Sequence, residues 1–292
     1  MNDRSLTGLA FRHVDVFSRS PLSGNSLTVF PDASALDGPT MQALTQEMRH
    51  FESIFLSPTE HAGTFEARIF TMEEELDFAG HPILGAAAVL HELFGDNDGA
   101  QFKLRLKAKT VQLDCLRRDG WYEASMDQGK PVLGEPIEGE AANQFLAALN
   151  LRPEHKAQDL PLQMVSTGLP YLILPLTSGL EQVRVSTPDF EQLLQSVGAK
   201  FSYALDVTAR EGRSWDNLGM VEDIATGSAA GPAGAYLVRH GLAEIDEHII
   251  IRQGRFCGRD SGIHVRINGN ATSPSRAVVG GDVVMVAKGT FD

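Results

Sequence analysis

The chain has 292 residues, 42% of them hydrophobic and 22% charged, with a formal net charge of −13. Domains commonly run about 100–200 residues, so one large domain or two medium ones are expected, each able to bury a core. The acidic balance reads as a solubility feature, and no Lys/Arg cluster offers nucleic acid a patch, so nucleic acid is excluded as a partner.

The chain opens on Met1-Asn2-Asp3-Arg4-Ser5 with no long apolar run behind it, so no signal peptide is expected. No run of about 18 apolar residues occurs anywhere, so no membrane span is expected and the cytoplasm is the expected compartment. Leu9 to Phe17 is rich in β-formers and ends at a Ser-Arg-Ser-Pro turn; Gly24-Asn25 follows, and Ser26 to Phe30 reads as a second strand. Met41 to His50 reads as a helix, with Met41, Leu44, Thr45 and Met48 on one face. Glu52 then enters the apolar run Ile54-Phe55-Leu56. Phe65 to Phe70 alternates as a strand does, and Pro82 to Phe94 reads as a buried helix closed by Gly95. Strands are expected near 102–107, 110–117 and 121–127. Gly129 to Glu140 is rich in Gly and Pro and reads as a linker, with a short helix, Ala141 to Leu149, after it.

The second half repeats this order. Leu162 to Val165 and Tyr171 to Leu174 read as strands around Thr167-Gly168, Asp189 to Val197 as a helix, and Ala229 to His240 as an apolar helix. Strands near 248–252, 262–267 and 277–287 finish the chain. At an offset of 147 residues Gly80 meets Gly227, and Ala86, Ala88 and Leu90 meet Ala233, Ala235 and Leu237. At a similar offset Gly24 meets Gly168. The repeated order predicts two similar lobes with a ligand cleft between them. The expected divisions are 1–129 as the N-terminal lobe, 130–278 as the C-terminal lobe, and 279–292 as a final strand that could return to the first.

Three segments could carry chemistry. In His50-Phe51-Glu52-Ser53-Ile54-Phe55-Leu56, Glu52 is a lone carboxylate among apolar neighbours. Such shielding favours the protonated form and suits a general acid/base, where a bland reading is an exposed turn glutamate. In Asp77-Phe78-Ala79-Gly80-His81-Pro82, Pro82 fits the first helical position, Gly80 lets backbone approach a ligand, and the free N–H groups favour an anion. His81 could donate or accept a hydrogen bond there, or simply pack. In Glu222-Asp223-Ile224-Ala225-Thr226-Gly227-Ser228, small polar residues precede the second apolar helix. Pro232 inside its first turns suggests that the regular helix begins as late as Gly231 or Pro232, after an anion-binding nest. Asp223 is the natural partner for a histidine or a substrate hydroxyl.

These runs resemble the PhzF-like family, named for phenazine biosynthesis. The resemblance covers nearly the whole chain, from Val14-Asp15-Val16-Phe17 and Gly24-Asn25-Ser26-Leu27-Thr28-Val29-Phe30, through Glu52-Ser53 and Thr71 to Pro82, to Glu222 through Ala230 and Gly280-Gly281. It implies an α+β fold like that of diaminopimelate epimerase: two pseudo-symmetric lobes, each a mixed curled β-sheet around a central helix. It also implies Glu52, His81 and Asp223 as catalytic groups, with Gly80, Gly227 and Ser228 binding a substrate carboxylate. Epimerases of this fold use one cysteine per lobe, where this chain carries Ala79 and Thr226. Cys115 and Cys257 lie elsewhere, outside any C-x-x-C, so a two-thiol racemisation, a disulfide framework and a zinc site are all disfavoured. The chain departs from the family at Ser26, His50-Phe51, Met72, Ile224 and the Arg213–Met220 segment with Trp215, which suggests altered pocket walls.

The expectation is a cofactor-independent isomerase that shifts a proton on a small anionic carboxylate substrate with Glu52 as acid/base. The rivals are a racemase or epimerase of a small acid, and a PhzF-like binding protein with a vestigial site. No phosphate loop, dinucleotide fingerprint or metal cluster is visible, so no cofactor is expected. A homodimer is implied by the resemblance alone.

Overall fold

The computed structural model describes residues 6–107 and 109–292. The Met1–Ser5 segment read above for a signal peptide lies outside the described residues. The chain divides into two compact units, one holding the residues up to Met126 together with Gly280–Asp292, the other Asp127–Val279.

The first unit contains β1 (Ala10–Val16), β2 (Asn25–Phe30), α1 (Gly38–Met48), β3 (Glu52–Pro58), β4 (Thr64–Thr71), the short β5 (Glu75–Leu76), α2 (Gly80–Phe94), β6 (Gly99–Arg105), β7 (Thr110–Arg117) and most of β8 (Tyr122–Gly129). The second adds β9 (Val132–Ile137), α3 (Gly139–Ala148), β10 (Leu162–Ser166), β11 (Pro170–Leu176), α4 (Phe190–Gln195), β12 (Phe201–Asp206), β13 (Glu211–Arg213), α5 (Gly227–Arg239), β14 (Ile249–Gln253) and β15 (Ser261–Asn270). The last strand, β16 (Ser273–Thr290), starts in the second unit and ends in the first.

In the first unit the strand order is β1-β2-β3-β4-β6-β7-β8, and β16 neighbours both β8 and β1, so the strands form a ring. Two steps, β2–β3 and β4–β6, are parallel. A parallel step needs a crossover, and these two crossovers hold α1 and α2. The second unit repeats the device: β11–β12 and β13–β14 are parallel, and their crossovers hold α4 and α5. The pairs β1–β2, β3–β4, β6–β7, β7–β8, β9–β10, β10–β11, β12–β13 and β14–β15 are antiparallel, giving the mixed sheets and the α+β class expected from the sequence.

The two central helices are apolar on every side, which is the pattern of a helix enclosed by protein. From Gly80 to His91 every residue of α2 is buried, and it packs on β1, β2, β3, β6 and β7. Helix α5 is buried at all but Ser228 and its last residue, and packs on β10, β11, β12, β14 and β15. Each helix spends a glycine on its closest strand contact. A Cβ on Gly85 would lie 2.4 Å from Leu27, and one on Gly234 would lie 2.5 Å from Val265. Outside the first sheet, α1 covers an aromatic cluster in which the Phe30 and Phe55 rings stack at 4.5 Å.

Three sequence expectations need correction. Gly129 to Glu140 is not a plain linker, because β9 lies within it. That strand pairs with β10 at the end of the strand order, and an edge strand is where a proline such as Pro136 is tolerated. Helix α2 starts at Gly80, two residues before Pro82, which still falls in the first turn, where its N–H is not needed. Helix α5 starts at Gly227 and runs straight through Pro232. The proline forgoes only the bond to the Ser228 carbonyl, so Thr226 to Gly231 is helix start and first turns, not a separate nest. Among the described residues, no helix is long and apolar enough to cross a membrane.

Candidate active site

In the first unit the site begins with register. Glu52, the first residue of β3, pairs with Leu27 of β2, and Leu27 faces Gly85 of α2. Residues in register share a sheet face, so Glu52 is turned toward the same helix. Its side chain is only 9% exposed, and Oε2 lies 3.1 Å from Nδ1 of His81, the second residue of α2. Asn25 Nδ2 lies 3.5 Å from the same ring nitrogen. Burial pushes the His81 imidazole down to about 3, and the nearby His50 adds to this, while the Ser26 backbone pulls the other way. His81 is therefore neutral at ordinary pH. A neutral imidazole can donate one N–H to a carboxylate or accept a proton from a carboxylic acid. His50 itself packs against His13, with ring centroids 4.4 Å apart and the planes tilted by 47°. Ala79, the residue before α2, is extended at φ −149° and offers no side-chain cap, so the first-turn N–H groups beside Gly80 are not satisfied by a cap.

The second unit holds the other predicted residues. Thr226 precedes α5, again without a side-chain cap bond to the helix. Its hydroxyl turns instead to Asp223 Oδ2, at 2.8 Å, and the Ala225 N–H reaches Asp223 Oδ1 at 3.3 Å. The Gly227 carbonyl accepts from Gln128 Nε2 at 2.8 Å, and Gln128 Oε1 accepts from the Thr167 hydroxyl at 3.0 Å. Ser228 Oγ lies 2.7 Å from the hydroxyl of the buried Tyr171. Glu222, beside Asp223, is occupied by Arg213 through two bonds of 2.7 Å, and the guanidinium is covered by Trp215 and Phe256.

Ala79 and Thr226, aligned above with the cysteines of two-thiol epimerases, occupy equivalent places before their helices. Neither cysteine of the chain is there. Burial pushes the Cys115 thiol up to about 12 and, with Glu222 adding to it, the Cys257 thiol up to about 11. Among the described residues no three His, Cys, Asp or Glu side chains converge as a metal site requires.

The structure thus joins Glu52, His81 and Gly80 in one group, and Asp223, Gly227 and Ser228 in another. Sequence reading missed Asn25, Gln128, Tyr171, Tyr203, Gln253 and the His13–His50 contact. For Gln253 a signal existed. In Ile249-Ile250-Ile251-Arg252-Gln253 it occupies the inward position of an alternating strand, where a polar residue must have partners.

A mixed sheet wrapped on a buried helix, made twice in one chain, is also the architecture of racemase-type proteins. A probable proline racemase from Agrobacterium radiobacter superposes with a TM-score of 0.63 over 97% of this chain and 92% of its own, at 13% identity. The chain belongs to the PhzC/PhzF family of phenazine biosynthesis-like proteins, whose model matches residues 14–289. A predicted epimerase from Pseudomonas aeruginosa has a TM-score of 0.90 and 46% identity, covering 97% of this chain and 98% of that one. The trans-2,3-dihydro-3-hydroxyanthranilate isomerase of Pseudomonas chlororaphis is 33% identical over 95% of this chain and 97% of its own length. An uncharacterized isomerase of Escherichia coli K12 is 28% identical over 94% of this chain and 95% of its own. Named relatives are isomerases, and that is the enzyme class of this chain.

Proposed function

We propose that the chain catalyses a one-base proton shift on a small carboxylate-bearing substrate, with Glu52 as the acid/base. The observation that carries this reading is the shielded Glu52 carboxyl 3.1 Å from a neutral imidazole at the start of α2. The carboxylate removes a proton from an activated carbon, the charge spreads over the substrate's conjugated or carbonyl system, and the same carboxyl returns the proton at a nearby carbon. His81 orients Glu52 through a hydrogen bond, while the carboxyl itself carries the proton during the shift. In the first unit the N–H groups beside Gly80 favour an anion; in the second, those beside Gly227, with the Ser228 hydroxyl, favour a carboxylate, and Asp223 accepts from a donor. This chemistry asks nothing of a cofactor.

A two-base racemase is less well served. It needs a base on each face of the stereocentre, yet Ala79 has none and the Thr226 hydroxyl is spent on Asp223. The test uses trans-2,3-dihydro-3-hydroxyanthranilate, the compound in the name of the Pseudomonas relatives, and a panel of small unsaturated or hydroxylated carboxylic acids in deuterated water. Wild-type protein is expected to give an isomerised product and to carry substrate hydrogen into its new C–H bond, with deuterium entering only as far as the Glu52 carboxyl exchanges with solvent before returning the proton. Glu52→Gln is expected to lose both. Isomerisation by Glu52→Gln at the wild-type rate overturns the assignment.

A further inference from the structure

We propose that Gln253, backed by Tyr203, is a positioning residue: its carboxamide fixes the Thr226 hydroxyl as a donor to Asp223 and so sets the charge and aim of that carboxylate. The proposal deepens the isomerase reading, because that reading gives Asp223 to the substrate, but its main readout is independent of turnover.

Gln253 ends β14 and is 1% exposed. Every hydrogen-bonding position of its carboxamide is used. Oε1 accepts from the Thr226 backbone N–H at 3.1 Å and from the Tyr203 hydroxyl at 3.0 Å. Nε2 donates to the Asp223 carbonyl at 2.8 Å and to Thr226 Oγ1 at 3.0 Å. The amide cannot be turned over, because that would set its NH₂ against a backbone N–H and its oxygen against a carbonyl. Direction then propagates. Thr226 Oγ1 receives a proton from Gln253, so its own proton goes to Asp223 Oδ2, 2.8 Å away. A donor fixed on a carboxylate oxygen favours the ionised form.

The backbone is shaped for this clamp. Gly212 lies under the Tyr203 ring, and a Cβ there would fall 2.1 Å from the phenol oxygen. Gly254, at φ +87°, brings the end of β14 so close that a Cβ would fall 2.8 Å from the Ile224 carbonyl of the Asp223 turn. Tyr203 is fully buried, and burial, with Asp223 adding to it, pushes its ionisation far above the ordinary range, so it remains a hydroxyl donor. Charged and titratable groups near Asp223 include Glu222, held by Arg213, and Cys257. The carboxamide of Gln253 bonds to none of these, because its four positions go to Thr226, Tyr203 and the Asp223 carbonyl.

The experiment titrates Asp223 directly, by the ¹³Cγ shift of aspartate-labelled full-length protein, with Asp223→Asn used to assign the resonance. Gln253→Met removes the carboxamide at similar volume, and Thr226→Val removes the hydroxyl through which it acts. Each is expected to raise the Asp223 midpoint by about one pH unit. The double variant is expected to match Thr226→Val alone, because the two changes break one chain of bonds. Tyr203→Phe, the mildest change, is expected to give a smaller rise that vanishes in the Thr226→Val background. It carries the test if Gln253→Met fails to fold. An unmoved midpoint in folded variants, or shifts that add in the double variant, overturns the proposal. Absence of turnover by wild-type protein counts against the isomerase reading and leaves the titration to decide this one.

Discussion

At the start of α2 a carboxyl and an imidazole, both buried, meet 3.1 Å apart. At the start of α5, a carboxylate, four hydroxyls and two carboxamides are held by hydrogen bonds: Asp223 through its carboxylate to Thr226 and through its backbone carbonyl to Gln253, Tyr171 to Ser228, and Gln128 to the Gly227 carbonyl and Thr167. Both helices begin on a glycine after a residue that does not cap them, on the same kind of parallel crossover. One frame is therefore used in two ways. In the first unit, burial keeps His81 neutral beside a carboxyl, which is what a moving proton requires. In the second, donors are held in fixed directions, which is what recognition of a fixed charge requires.

The sharpest way to break this contrast is to neutralise one carboxylate in each unit. Glu52→Gln is expected to lower turnover by about 10²–10⁴-fold, the usual contribution of a positioned acid/base. Asp223→Asn should act mainly on KM. Equal losses of kcat in steady-state assays would remove the distinction.

The next effect belongs to His81 and has a definite sign. Its imidazole titrates at about 3 in the folded chain against an ordinary 6.5. Between those values the unfolded chain binds a proton that the native one does not, so the stability this site contributes is complete above pH 6.5 and declines as pH falls toward 3. The slope approaches about 1.4 kcal/mol per pH unit. His81→Gln removes it. Urea melts from pH 7 to pH 4 should show the stability advantage of wild type over the variant shrinking with acid. A difference that stays flat contradicts a buried neutral imidazole.

Smaller still are the packing changes. Gly85→Ala and Gly234→Ala each drive a methyl into a strand residue, Leu27 or Val265. Overpacking of this kind costs about 1–3 kcal/mol, less up to ~1 kcal/mol regained from helix propensity. Similar drops in the denaturation midpoint support equivalent frames, and a neutral result for one of them marks where the two units diverge. The smallest expected effect is Tyr171→Phe. It removes one side-chain bond to Ser228, worth about 0.5–1.5 kcal/mol, and should raise KM a few-fold with little change in kcat.

Much of this frame was legible from residues alone. Gly80 and Gly227, aligned by their offset, are the first residues of α2 and α5, and the apolar helices behind them lie at the centres of their units. Hydrophobic pattern and glycine placement are local signals, so they survive in sequence. Strand β9 was hidden because the Gly and Pro tolerated by an edge strand look like a linker. Strand β13, three residues long, is too short for any period to show. The network at α5 was invisible for another reason. Gln128, Tyr171, Tyr203 and Gln253 come from separate strands and Thr167 from the turn after β10, and nothing in a single sequence says which buried polar groups will meet. Only the inward position of Gln253 marked it as a residue that needed partners.

The path of β16 bears on how such a chain is made. Its part from Gly280 on belongs to the first unit and lies against β1, with Val16 opposite Val283 and Ala10 opposite Thr290. A ribosome therefore finishes every residue of the second unit before it supplies the strand that completes the first. Until then β1 has an unpaired edge, the condition that invites aggregation. The nascent first unit must wait, open on one side, for the final residues of its own sheet, and contacts this distant in sequence form slowly.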